Sequence, residues 1–232
     1  MLIDIIIEKI GFAVCHQLPE RCLSFGPILI NICARCNGIY LGFFISALLL
    51  FALYRKRQSG LPPVWVLIIL LLFIASTLVD GLLSYLSVIS TNNIVRFITG
   101  FLCGASIMAI IYPVFVFQYY RQSTQDRILA EKWKLAVFLG SLGAFIALTL
   151  ARWDFTGLFF YYLSAFSVAF TFYFINLTVM LLVPPLAQKA DRLFSKNLII
   201  PSVSALVLAS LELYAFYLVH GLAQRIVLQV QM

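Results

Sequence analysis

Charge is what this chain has least of. Only 11% of its 232 residues are Asp, Glu, Lys or Arg, while 63% are hydrophobic. Soluble domains carry roughly 25% charged residues, and a chain of this length cannot hide so much apolar surface from water. A water-soluble fold is excluded, and an all-α integral membrane protein remains. Histidine is scarce too, with two residues, and neither HExxH nor GxSxG occurs, so two familiar hydrolase signatures are missing. No basic stretch interleaved with aromatics is present. The net charge of +7 therefore reads as basic loops held on the cytoplasmic side, not as a nucleic-acid surface. A signal-peptide pattern is missing at the start: Asp4, Glu8 and Lys9 interrupt the apolar residues, and no basic region precedes them.

Long apolar runs are what the chain has instead. About six segments suit a hydrocarbon core of about 30 Å: residues 38–54, 64–86, 94–119, 135–151, 158–183 and 198–221. Before them, Ile3, Ile6, Ile7, Ile10 and Val14 share one face of a helical pattern, with Asp4 and Glu8 on another. This predicts a short amphipathic helix over 3–14, at about 18 Å too short to span. Gly38/Gly42 and Gly100/Gly104 are small-xxx-small pairs that permit close helix packing. No internal repeat appears. The simplest organisation is one polytopic membrane domain over 1–232. It comprises a Cys/His segment (1–37), a three-helix core (38–119) and three further helices (135–221).

Topology follows from basic residues. Arg55, Lys56, Arg57, Arg121, Arg127, Lys132, Lys134, Lys189, Arg192 and Lys196 fall in the loops after the first, third and fifth spans. Lys9, Arg21, Arg35, Arg96, Arg152 and Arg225 fall on the opposite side. The richer side is expected to be cytoplasmic. Both termini and the Cys/His segment are then extracytoplasmic. The same outer side collects Asp80, Arg96, Thr99, Cys103, Arg152, Asp154, Glu212 and His220. Charges within a membrane face a cavity or a partner. Asp80 and Arg96 are expected to pair across the turn holding Ser90, Thr91, Asn92 and Asn93. Glu212 has no obvious single partner, and His220 reads as an interfacial side chain.

The chemistry-bearing residues are Cys15, His16, Cys33 and Cys36, within Cys15-His16-Gln17 and Cys33-Ala34-Arg35-Cys36. A CxxC offers two sulfurs that converge on one ion, and Cys15 with His16 can supply the other half of a four-ligand zinc site. A CxxC at a helix start also favours a thiolate, which suits thiol–disulfide exchange with a second pair such as Cys15 and Cys22. A static disulfide is the third reading. Cys103, inside a span, reads as a packing residue.

Cys15-His16-Gln17, Glu20-Arg21, Gly26, Cys33-Ala34-Arg35-Cys36, Gly38-Ile39-Tyr40 and Gly42 resemble the signature of a family of multi-pass prokaryotic membrane proteins defined by a domain of unknown function. A second patch, Asp80-Gly81 followed by Asn93, Arg96, Thr99-Gly100 and Gly104, is also similar to that family's pattern. The resemblance covers roughly residues 11–110. Cys22 departs from it, since serine is expected there. This weakens a Cys15–Cys22 redox pair and leaves Cys15, His16, Cys33 and Cys36 as the shared set. The resemblance implies membership of the family and no particular reaction.

The leading expectation is an outward-facing zinc site formed by Cys15, Cys33, Cys36 and His16. It would serve a hydrolase or transferase acting on a lipid or membrane-associated substrate. If His16 is not a ligand, the fourth position can hold water for activation. Asp80, Arg96 and His16 are then the candidate catalytic residues, with Asp80 as base. Arg21, Arg35 and Asn93 are candidate substrate contacts, the arginines and Arg96 suiting a phosphate or carboxylate. Tyr40 is either a hydrogen donor or an interfacial aromatic. Two alternatives stay open: a quinone-linked thiol–disulfide oxidoreductase using Cys33 and Cys36, and a transporter or metal-handling protein.

Overall fold

The computed structural model describes residues 2–55, 57–86, 91–191 and 198–230. Lys56, Arg192 and Lys196, counted above among the cytoplasmic charges, and Ser90 of the Asp80–Arg96 turn lie outside the described residues. Among the described residues there are seven α-helices: α1 (Leu2–Val14), α2 (Ala34–Leu53), α3 (Val64–Tyr85), α4 (Asn93–Tyr119), α5 (Lys132–Leu150), α6 (Gly157–Leu181) and α7 (Ile199–Val230). Six of them, α2 to α7, are long and apolar enough to cross a membrane. The protein is thus an all-α multi-pass membrane protein. Leu71, Leu72, Leu78, Leu82, Val207 and Leu211 are large and exposed, as expected where lipid rather than water surrounds the helices.

Lipid is as apolar as the helix surfaces it bathes, so burial alone does not drive these helices together; close backbone approach does. The α2–α4 pair supplies it. A Cβ on Gly38 would strike Phe97 O and Phe101 N, and one on Gly42 would strike Phe101 O. Reciprocally, a Cβ on Gly100 would strike Arg35 O, and one on Gly104 would strike Ile39 O. The two small-xxx-small pairs therefore face each other across one crossing. Ser46 Oγ adds a buried hydrogen bond to Ala105 O at 3.1 Å. α4 is the most enclosed span and α2 the next, while α3, α5 and α7 are peripheral. α3 packs on α4, where Thr77 Oγ1 donates to Thr99 O at 2.8 Å. α6 packs on α2 and α7, and α1 lies against α7 and α6. Glu212 of α7 accepts a bond from Asn176 Nδ2 of α6 at 2.7 Å, which supplies the partner that the sequence left open.

Two small sheets accompany the helices among the described residues. β1 (Cys22–Phe25) and β2 (Ile28–Cys33) form an antiparallel hairpin over one end of the bundle. Its two-residue turn is Gly26-Pro27, and Gly26 takes φ +56°, the left-handed value that the first position of such a turn demands. Leu23, Phe25, Ile30 and Ile32 are buried, and Phe25 stacks on Phe160 of α6 at 4.9 Å. At the other end, β3 (Gln58–Gly60) runs parallel to β4 (Thr124–Arg127). There Leu129 N donates to Tyr54 Oη at 2.6 Å, and Arg57 sits over the Tyr120 ring.

The first span begins at Ala34 rather than at residue 38. Two polar residues of that added turn find partners at the α3 and α6 faces, so the helix extends through them (below). The second correction concerns charge pairing. Asp80 bonds Arg35, not Arg96: Arg35 Nε and Nη2 both donate to Asp80 Oδ2, at 2.9 and 2.5 Å. Arg96 Nε instead donates to Thr91 Oγ1 at 3.2 Å. The first turn of α2 brings Arg35 against α3, where two N–H groups of its guanidinium converge on one carboxylate oxygen, while Thr91 engages Arg96.

Gly104→Val is expected to force the α2–α4 crossing apart, because backbone rather than a flexible side chain stands in the way. A cost of about 3 kcal/mol or more follows from overpacking. Gly140→Val, at a glycine with nothing within 4 Å, should be tolerated. Thermal unfolding and size-exclusion profiles of both variants in detergent check this.

Candidate metal centre

Each cysteine reaches the centre by a different element. α1 ends at Val14, and Cys15 follows it. Gln17 then adopts φ +53°, and its Nε2 donates to Asn31 O at 2.8 Å. Asn31 Nδ2 donates to Ile7 O at 2.8 Å. These two amides tie α1 and the Cys15 turn to β2. β2 delivers Cys33, which occupies the N-cap of α2. Cys36 stands one turn into that helix. The three Sγ atoms of Cys15, Cys33 and Cys36 lie within 4.8 Å of one another, close enough to hold a metal ion. All five cysteines are unbridged.

Backbone amides orient the cluster. Cys15 Sγ accepts hydrogen bonds from Cys33 N at 3.2 Å and Gln17 N at 3.5 Å. Donors aimed at a sulfur favour its anionic, ligating form and fix its direction. Hydrogen bonds from Cys15, first, and Cys36 hold the Cys33 thiol well below its ordinary value, and the positive charge of Arg35 adds to the effect. The same contact with Cys33 pushes Cys15 up, and burial adds to it. A metal ion binding here would displace the remaining thiol protons.

The other residues of this turn face outward from the cluster. Arg35 reaches α3, as described, and its Nη2 also meets Ser84 Oγ at 3.3 Å. Asn37 is fully buried, and its Oδ1 accepts from Ser164 Oγ of α6 at 2.8 Å. Asp80 Oδ1 and Asn37 Nδ2 are buried atoms without a hydrogen-bond partner.

The remaining candidates divide. Asn93 Nδ2 donates to Glu20 O at 2.9 Å and to Cys22 O at 3.1 Å, so Asn93 staples the hairpin to the start of α4. Arg21 is exposed. Arg96 lies within electrostatic reach of Arg21, Arg35 and Asp80. His16 is exposed and is not one of the grouped ligands; its ring meets His220 edge-on at 4.6 Å. Cys22 is buried, and its Sγ donates to Leu18 O at 3.2 Å. It lies directly opposite Cys33 in the hairpin register, and burial pushes its thiol up to about 12. Cys103 is buried within α4. Tyr40 is half-buried, at 6.3 Å from Phe172.

The family described as "Predicted membrane protein (DUF2085)" matches residues 15–110, which span the cluster, the hairpin, α2, α3 and most of α4. An uncharacterised protein of Methanocaldococcus jannaschii is 31% identical over 120 residues, covering 52% of this chain and 75% of the relative. An uncharacterised protein of Methanothermobacter thermautotrophicus is 34% identical over 91 residues, covering 39% of this chain and 78% of the relative. No solved structure matches.

In metal-free protein, Cys33 should alkylate first, because its thiolate is present where an ordinary thiol is protonated. Its depressed value means the rate should stay nearly flat between pH 6 and 8, whereas an ordinary thiol gains about tenfold per unit. Cys22 should stay unmodified until the protein unfolds. Mass spectrometry after timed iodoacetamide pulses reads both.

Proposed function

The chain belongs to this family of predicted membrane proteins, and from the three thiols that its matched region brings together we propose that it holds a zinc ion on the outer face of a prokaryotic plasma membrane, where it serves a hydrolase or transferase acting on a lipid or membrane-associated substrate. The observation that carries the reading is the convergence of Cys15, Cys33 and Cys36 within 4.8 Å, with backbone amides directed at Cys15 Sγ. Thiolates select soft and borderline ions, and zinc with three protein ligands keeps an open fourth position. When bound there, the ion supplies Lewis acidity and an activated water.

The chain's own residues have distinct parts in this reading. Cys15, Cys33 and Cys36 hold the ion. Arg21 and Arg96 offer positive charge to a phosphate or carboxylate. Arg35 is engaged by Asp80, so both act as positioning residues that hold the CxxC turn, and Asp80 is no longer the favoured base. Asn93 maintains the hairpin above the site. The outward orientation rests on the excess of basic residues in the loops after α2, α4 and α6.

One observation favours a second reading, a thiol–disulfide oxidoreductase: Cys22 faces Cys33 across the hairpin, and directly opposed residues of an antiparallel pair have Cα separations that suit a disulfide. Elemental analysis of full-length protein distinguishes the two. The zinc reading expects about one ion per chain, a loss to near zero in Cys33→Ser, and retention in Cys22→Ser. Undiminished metal in Cys33→Ser removes the assignment. No metal, together with a reducible Cys22–Cys33 bridge, supports the redox reading.

A further inference from the structure

The chain's two histidines come from opposite ends of the sequence and meet beside the thiol centre. Their ring centroids are 4.6 Å apart at an interplanar angle of 60°. His16 directly follows Cys15, and His220 lies on α7. The contact is built, not incidental. Phe12 of α1 stacks on the His220 ring at 4.5 Å and meets Tyr217 edge-on at 5.4 Å, so the docking of α1 on α7 holds the imidazole in place.

The protonation pattern follows from one bond. His220 Nδ1 lies 2.5 Å from Phe12 O. A carbonyl oxygen only accepts, so Nδ1 carries the hydrogen and the neutral ring presents its lone pair at Nε2. That Nε2 is buried and has no hydrogen-bond partner. A buried acceptor without a donor is unfavourable. An imidazole whose Nδ1–H is tied to a backbone carbonyl, with Nε2 bare, is also how proteins prepare histidine as a metal ligand. His16 is exposed, so its side chain can turn a nitrogen toward the same point. Imidazole suits zinc, copper, nickel and related ions.

We propose that His16 and His220 form a second metal site, an imidazole pair that takes a divalent first-row transition-metal ion with water completing its coordination. Neither imidazole is grouped with the three thiols, and the site does not depend on that cluster holding metal. With two protein ligands instead of three, it binds more weakly and exchanges with solvent through His16. Its place next to Cys15 suits capture of an ion on the outer side of the protein.

The test uses the full chain in detergent micelles, titrated with Zn²⁺ by calorimetry and with Co²⁺ by absorption. Thiolate ligation gives Co²⁺ an intense near-ultraviolet charge-transfer band that imidazole ligation does not. Wild type should bind two ions, the weaker without the thiolate band. His16→Ala and His220→Phe should each lose the weaker ion, at least tenfold in affinity, while the thiolate band persists. His220→Phe keeps a ring against Phe12, and His16 is exposed, so neither change removes the α1–α7 contact. Cys33→Ser should lose the thiolate band and keep the weaker ion. Two outcomes overturn the proposal. One is a second ion indifferent to both histidine changes, or no second ion at all. The other is loss of the thiolate-bound ion in His16→Ala, which would make His16 a ligand of the thiol centre. A thiolate band missing from wild type, with the histidine-dependent ion present, would overturn the thiol-site reading and leave this one standing.

Discussion

The arrangement depends on how closely α2 and α4 approach. Lipid gives helices little reason to associate beyond packing quality, and four glycines let these two backbones touch. The crossing starts at Gly38 and Gly100, immediately below the CxxC. It therefore sets the height and rotation of the first turn of α2, and with them Cys33 and Cys36. Side chains in place of those glycines would displace the turn that carries two of the three thiols.

That first turn distributes consecutive residues among different neighbours. Cys33 and Cys36 face the cluster, Arg35 faces Asp80 on α3, Asn37 faces Ser164 on α6, and Gly38 faces α4. A helix turns through about 100° per residue, so a short run meets several surrounding elements in turn. Partly buried charge is tolerated here because Arg35 and Asp80 form a forked pair. The third thiol arrives from outside the bundle, held by the side-chain amides of Gln17 and Asn31, while Asn93 pins the hairpin from α4. Three amides of modest strength individually position the segment that completes the centre.

Much of this was legible in the chain. The six spans follow from the demand that lipid places on length and hydropathy, and the amphipathic pattern marked α1. The grouping of Cys15 with the CxxC was visible in ligand type, and the paired glycines were visible as small-xxx-small motifs, although not which helix each would meet. The hairpin was missed because its short strands merge with flanking apolar residues. Gly26-Pro27 was its one local signal. The partner of Asp80 was misassigned because proximity in sequence favoured Arg96, whereas helix packing brought Arg35. No periodicity could announce that His16 would meet His220, since only the docking of α1 against α7 joins them.

Three thiolates are proposed to share one zinc ion. X-ray absorption at the zinc edge of purified full-length protein tests it most directly. Three sulfur neighbours at about 2.3 Å and one nitrogen or oxygen neighbour are expected on the tightly held ion. A shell of nitrogen and oxygen alone, or four sulfurs with Cys22 as the fourth, would contradict it.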